Sequence, residues 1–204
     1  MEKIDFKKEF KDLYNPSKRE PSFIEVPAFK FLMIDGHGDP NHSPEYQEAI
    51  SALYTVAYTI KFKVKKGPQA VDFGVNALEG LWWVPNMSFF STEDKSSWDW
   101  TMMILQPELV TPDLFEEARL ESAKKKPLVS LSKIRLETFH EGLSAQIMYV
   151  GPYSAEGPTI ARLHNYIKQQ GYNLSGKHHE IYLKDPTRTA AEKLLTIIRQ
   201  PVTK

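Results

Sequence analysis

The sequence predicts an α+β protein built as a tandem repeat of β-α-β-β units, forming antiparallel sheets around a central ligand groove. Three observations carry this. Short apolar runs of strand length alternate with segments of clear helical periodicity. The order of these elements recurs: FLMIDGHGDP…SPEYQEAISALYTVA rhymes with QIMYVGPYSAEGPTIARLHNYI, each an apolar strand, a Gly/Pro loop and an amphipathic helix. The run His178–Pro186 then supplies a strand whose two faces differ in chemistry. Pseudo-symmetric half-sheets commonly leave a concave groove where they meet, a natural small-molecule site.

Taken in order, residues 1–25 are a charged N-terminal segment, with Ile4, Phe6, Phe10 and Leu13 as the apolar side of a short helix or tail. The domain proper is expected over 26–204, with repeat one at about 26–107, a connector helix at about 111–126 and repeat two at about 132–204. Ala28 to Ile34 is a buried strand, closed by the loop Asp35 to Pro40. Ser43-Pro44 opens a long helix, with Tyr46, Ala49, Ile50, Leu53, Val56, Ala57 and Ile60 at helical spacing and Gly67-Pro68 as its stop. Ala77–Val84 and Trp98–Leu105 are strands, separated by the polar loop Asn86–Ser97. Thr111-Pro112-Asp113 caps the connector helix, which runs into the lysines 124–126.

In the second half, Ile134–Phe139 and Leu143–Val150 read as a hairpin turned at Glu141-Gly142. A helix carrying Ile160, Leu163 and Ile167 ends at Gly171. The strand His178–Leu183 follows, and Thr189–Val202 reads as one helical turn and then a strand.

Composition bounds the function. The 204 residues carry a formal net charge of zero, so no positive excess invites nucleic acid or an anionic membrane. Cysteine is absent, which removes disulfides and thiolate chemistry and agrees with a cytoplasmic location. The chain shows neither a signal-like nor a membrane-spanning apolar run. Aromatic residues, at 12% with 4 Trp, 9 Tyr and 11 Phe, are the unusual feature, and they serve core packing first and flat ligand surfaces second.

Glu180 is the first candidate for chemistry. In an aromatic pocket its carboxylate would act as a general base and attract cations; an exposed strand glutamate is the plainer reading of this stretch alone. On the expected strand His178, Glu180 and Tyr182 share one face, while Ile181 and Leu183 take the other and pack on helices. Trp82-Trp83 and Trp98/Trp100 lie on neighbouring strands, and Tyr149 and Tyr153 flank the Gly151-Pro152 bend. Core packing explains several of these as well as a stacking surface does, and parity leaves open which of Trp82 and Trp83 faces inward. His178 and His179 are adjacent, so they face opposite ways, and His179-Glu180 lacks helical H-E-x-x-H spacing; no metal is expected. A haem would need His178 or His37 alone as axial ligand, and no cofactor is expected.

The stretches FLMIDGHGDP, EYQEAISALYTVAYTIKF, LEGLWWV, WTMMILQPELVT, GLSAQIMYVGPYSAEGPTIARLHNYI and GKHHEIYLKDP, from about Val26 to Pro201, resemble the GyrI-like small-molecule-binding proteins, in particular their stand-alone bacterial branch. The resemblance implies the tandem strand–helix–strand–strand fold and a groove that takes bulky, flat, hydrophobic or cationic xenobiotics. Some stand-alone members resemble hydrolases that open cyclopropane-bearing toxins by water addition; others of the class only bind drugs. The resemblance places Glu180 as the carboxylate, Tyr149 and Tyr182 as pocket phenols and Trp83 as stacking platform. Trp100, Met103, Tyr153 and His37 complete the expected lining. No helix-turn-helix precedes Val26, so a small-molecule ligand, and neither nucleic acid nor membrane, is the expected partner; oligomeric state is left open.

Overall fold

The computed structural model describes residues 3–68, 70–87 and 94–204. The main elements are β1 (Ser22–His37), α1 (Pro44–Lys66), β2 (Leu78–Trp83), β3 (Asp99–Gln106), α2 (Pro112–Lys125), β4 (Arg135–Val150), α3 (Gly157–Gln169), β5 (His178–Tyr182) and β6 (Leu195–Thr203). This is a mixed helix-and-strand protein whose long strands pair antiparallel. Residues 88–93 of the expected loop lie outside the described residues. The chain divides into two compact units that interleave along the sequence: Met1–Phe6, Phe29–Asn76 and Glu93–Phe139 form one, and Lys7–Ala28, Ala77–Thr92 and His140–Lys204 the other.

In the first unit β1 pairs with β3 from Lys30↔Gln106 to His37↔Asp99. α1 begins where the Ser43 hydroxyl accepts from the Tyr46 N–H at 3.2 Å and Pro44 occupies the first turn. Its buried stripe, Ala49, Ala52, Leu53, Val56, Ala57, Ile60 and Val64, follows the helical period. α2 starts in the same way, with Thr111 accepting from the Leu114 N–H at 3.2 Å. The small residues Ala118 and Ser122 are buried on it, and the Ser122 hydroxyl donates to Thr59 of α1 at 3.1 Å. Trp100 lies over Gly36, where any Cβ would overlap the indole, and meets Tyr46 edge-on at 5.2 Å.

In the second unit β4 pairs with β6, β6 with β5, and β5 with β2. Residues directly opposite in such a ladder project from the same face. One face therefore carries Ile147, Ile198 and Glu180 in a row, opposite Gly80; the other carries Gln146, Arg199, His179 and Leu81. α3 covers the first face: Ile160, Leu163 and Ile167 pack with Ala145, Ile147, Tyr149, Ile198 and Val202. The N-terminal segment meets the second through the helical turn Lys11–Tyr14, where Gln146 donates to the Asp12 carbonyl at 2.8 Å.

The structure departs from the expected pattern at two points. The hairpin at Glu141-Gly142 is instead one continuous strand, because Gly142 adopts φ +73° within β4 rather than reversing it. And the face bearing Glu180, rather than that of Ile181, is the one the helix packs on. Period-two alternation separates two faces but does not say which is covered; in β5 both are buried.

Candidate functional site

β5, paired with β2 on one side and β6 on the other, carries His178, His179, Glu180, Ile181 and Tyr182, and every member but Tyr182 is buried. Glu180 is only 4% exposed, which excludes the solvated-strand reading. Its carboxylate gathers donors. His178 Nε2 lies 3.0 Å from Oε1, and since an ionised carboxylate only accepts, that nitrogen carries the proton. The Tyr182 hydroxyl donates to Oε2 at 2.7 Å, and Trp82 Nε1 donates in turn to the Tyr182 oxygen at 3.1 Å. The ring of Tyr153 meets Tyr182 edge-on at 5.4 Å. Burial raises the Glu180 pKa, but the hydrogen bond and charge of His178, with the Tyr182 and Glu156 hydrogen bonds, outweigh it and hold the carboxyl below its usual value. Gly80, opposite Glu180 in the ladder, adds no side chain at that point of the face.

The expected residues fall as follows. Glu180, Tyr182 and Tyr153 come together. Tyr149 shares their sheet face, across Thr196 from Tyr182, but its hydroxyl donates to the Pro152 carbonyl at 2.9 Å. Burial and then the charge of Glu156 raise its pKa. Of the two tryptophans, Trp82 pairs with His178 and reaches the Glu180 face. Alternation sends Trp83 to the other side, where Lys177 Nζ lies 3.2 Å from its ring centre. Trp100, Met103 and His37 belong to the other unit. Trp100 and Met103 are buried three residues apart on β3 and so point to opposite faces, and exposed His37 bonds Asp99 at 2.8 Å.

Sequence reasoning missed two groups. Glu156, buried at the start of α3, hydrogen-bonds Glu180; Pro158 marks the helix start but not the inward turn of a side chain two residues earlier. On the opposite face is a buried ionic cluster. His179 places Nδ1 2.9 Å from Glu141 and Nε2 3.1 Å from Glu79. Carboxylates on both sides require both nitrogens to donate, so this ring is an imidazolium. Burial would lower its pKa, yet Glu141 and then Glu79 raise it to about 9. Glu141 is opposed by burial but held down at about 2 by His179 and Arg199. Arg199 also donates to Gln146 at 3.0 Å and to the Leu13 carbonyl at 2.9 Å, and Tyr14 donates to Glu79 at 3.3 Å. The cluster thus ties the N-terminal segment to the back of the strand that presents Glu180.

An ionised, nearly inaccessible carboxylate among indole and phenol rings, on the helix-covered face of an antiparallel sheet, is the setting of a small-molecule-binding α+β protein. The GyrI-like small molecule binding domain matches residues 19–203, and the chain belongs to that family. An uncharacterized conserved protein from Listeria innocua is 42% identical, with 98% of this chain and 100% of that one covered and a TM-score of 0.90. A hydrolase from Listeria innocua is likewise 42% identical, over 99% of this chain and 100% of that one, with a TM-score of 0.88. The C-terminal domain of EcmrR, 13% identical over 91% of this chain and 98% of that domain, shares the fold alone at a TM-score of 0.58. Comparison with curated proteins gave no match. Among the described residues no helix is long and apolar enough to cross a membrane.

Proposed function

We propose that this protein binds bulky, flat, lipophilic cations, with Glu180 as counter-anion and Trp82, Tyr153 and Tyr182 as the aromatic surround. The observation that supports it best is the ionised carboxylate at 4% exposure beside those rings. The carboxylate is already engaged by His178, Tyr182 and Glu156; a delocalised cation adds a further charge partner while its faces stack on the rings, each contact giving about 0.5–2 kcal/mol. Tyr149, on the same sheet face, extends the lining in this reading, while Trp83, Trp100, Met103 and His37 stand outside it; the recurring strand–helix–strand–strand order is read as a duplication. Rhodamine 6G, a permanent flat cation, titrated by calorimetry, is expected to bind saturably to the wild type and at least about tenfold more weakly to Glu180→Gln. Equal affinity in both proteins overturns the assignment.

A second reading, hydrolysis, is favoured by the Listeria innocua hydrolase at 42% identity. Here a neutral cyclopropane-bearing electrophile takes up water. The water oxygen bonds to a ring carbon, the strained C–C bond breaks toward its electron-withdrawing neighbour, Glu180 accepts the water proton, and a Tyr182 or Tyr149 hydroxyl protonates the anion. Proton return from Glu180 to the phenolate closes the cycle. Mass spectrometry of products is expected to show a water adduct with the wild type and none with Glu180→Gln. Saturable binding without product leaves a drug-binding protein and removes catalysis.

A further inference from the structure

Glu156 precedes α3 as its N-cap, a position where a side chain usually accepts from the first turn, yet it makes no capping hydrogen bond. Its side chain turns inward instead, 3% exposed, and hydrogen-bonds the carboxyl of Glu180. Two carboxyls bond to each other only with a proton between them, since ionised carboxylates only accept. Two like charges so close and so dry do not both ionise. His178 and Tyr182 both lie on Glu180 as donors, which makes Glu180 the ionised member and Glu156 the protonated one. The other titratable groups facing the pair are His178 and Tyr182 on β5 and Tyr149 on β4. His164 of α3 stands next to His178; burial and then the charge of His178 lower its pKa to about 4, so it adds no charge near neutrality.

We propose that Glu156 and Glu180 form a proton-sharing carboxyl pair that couples capture of a cation to release of the shared proton. The inference rests on the reading of Glu180 as the ligand's counter-anion and names its partner. The free pair holds one proton and one negative charge. A cation seated against it stabilises the second ionisation, so the Glu156 O–H bond breaks and the proton leaves to solvent, giving two carboxylates, the bound cation and one free proton. Charge is conserved. Over the pH range in which the free pair keeps its proton, affinity for a permanent cation strengthens about tenfold per pH unit, and it levels off once the pair ionises unaided. An uncharged ligand of the same shape releases no proton and shows no such slope. The pair therefore selects charge as well as shape.

Calorimetric titration with rhodamine 6G in buffers of different ionisation enthalpy counts the protons directly. About one is expected to leave per dye bound to the wild type, and none in Glu156→Gln, whose amide still donates to Glu180. Infrared spectra of the ligand-free wild type at neutral pH are expected to show the carbonyl stretch of a buried, protonated carboxyl, absent from Glu156→Gln. The wild-type proton count and band stand even if that variant fails to fold. Dye binding without proton release overturns the coupling while leaving Glu180 as the binding anion. No dye binding sinks both the coupling and the Glu180 reading. A missing infrared band overturns the shared proton whether or not the dye binds.

Discussion

Replacing His179 by glutamine probes the ionic cluster behind the candidate site. Its imidazolium is held between Glu141 and Glu79, and its pKa rises from 6.5 to about 9 despite burial. Between those values the native state holds a proton that the unfolded chain does not. The stabilisation is therefore complete below pH 6.5 and is lost as pH rises through about 9. At about 1.4 kcal/mol per pH unit of difference, the contribution is on the order of 3 kcal/mol. Urea unfolding followed by tryptophan fluorescence, at steps from below to above this window, is expected to show the wild type losing about that amount. His179→Gln is expected to lack it already at the acid end and to stay flat across the window. A flat wild-type profile, or an equally steep fall in His179→Gln, refutes the placement of this charge.

The same cluster makes a prediction at acid pH. Glu141, lowered from 4.5 to about 2, contributes stability that is full above 4.5 and lost as pH falls through about 2. Glu141→Gln leaves two buried cations under-compensated and is expected to cost about 3–5 kcal/mol at neutral pH by the same urea assay; a loss within error contradicts this. Gly142→Ala forces a side chain into φ +73° and is expected to cost about 1–2 kcal/mol, read as a lowered thermal midpoint. Gly36→Ala drives a methyl into the Trp100 indole and is expected to cost about 1–3 kcal/mol, with a changed tryptophan spectrum; unchanged stability and spectrum argue against that contact.

The order of long elements was legible in the sequence because each follows from local periodicity and local punctuation. Ser43-Pro44 and Thr111-Pro112 start the two helices of the first unit as expected, and the segment after Thr189 becomes a 3-10 turn at Ala191–Lys193 followed by β6. Failures came where structure depends on distant register. Glu-Gly at 141–142 carries the same letters in a hairpin turn as in a strand that passes through one positive φ, and only the partners of β4 decide between them. Alternation in HHEIY separated His178, Glu180 and Tyr182 from His179 and Ile181, but α3 and the N-terminal turns determine what covers each face. The His179 cluster draws Glu79, Glu141 and Arg199 from β2, β4 and β6. No spacing in one sequence announces such a meeting. Trp82 and Trp83 were inseparable until the pairing of Trp82 with His178 fixed their faces.

The central claim is that Glu180 is the anion a ligand meets. A crystal structure of the protein soaked with rhodamine 6G tests it most directly. The account predicts the dye's charged ring system stacked on Trp82, Tyr153 or Tyr182, with its cation against the Glu180 carboxylate. Dye bound elsewhere, with Glu180 still engaged only by His178, Tyr182 and Glu156, contradicts it.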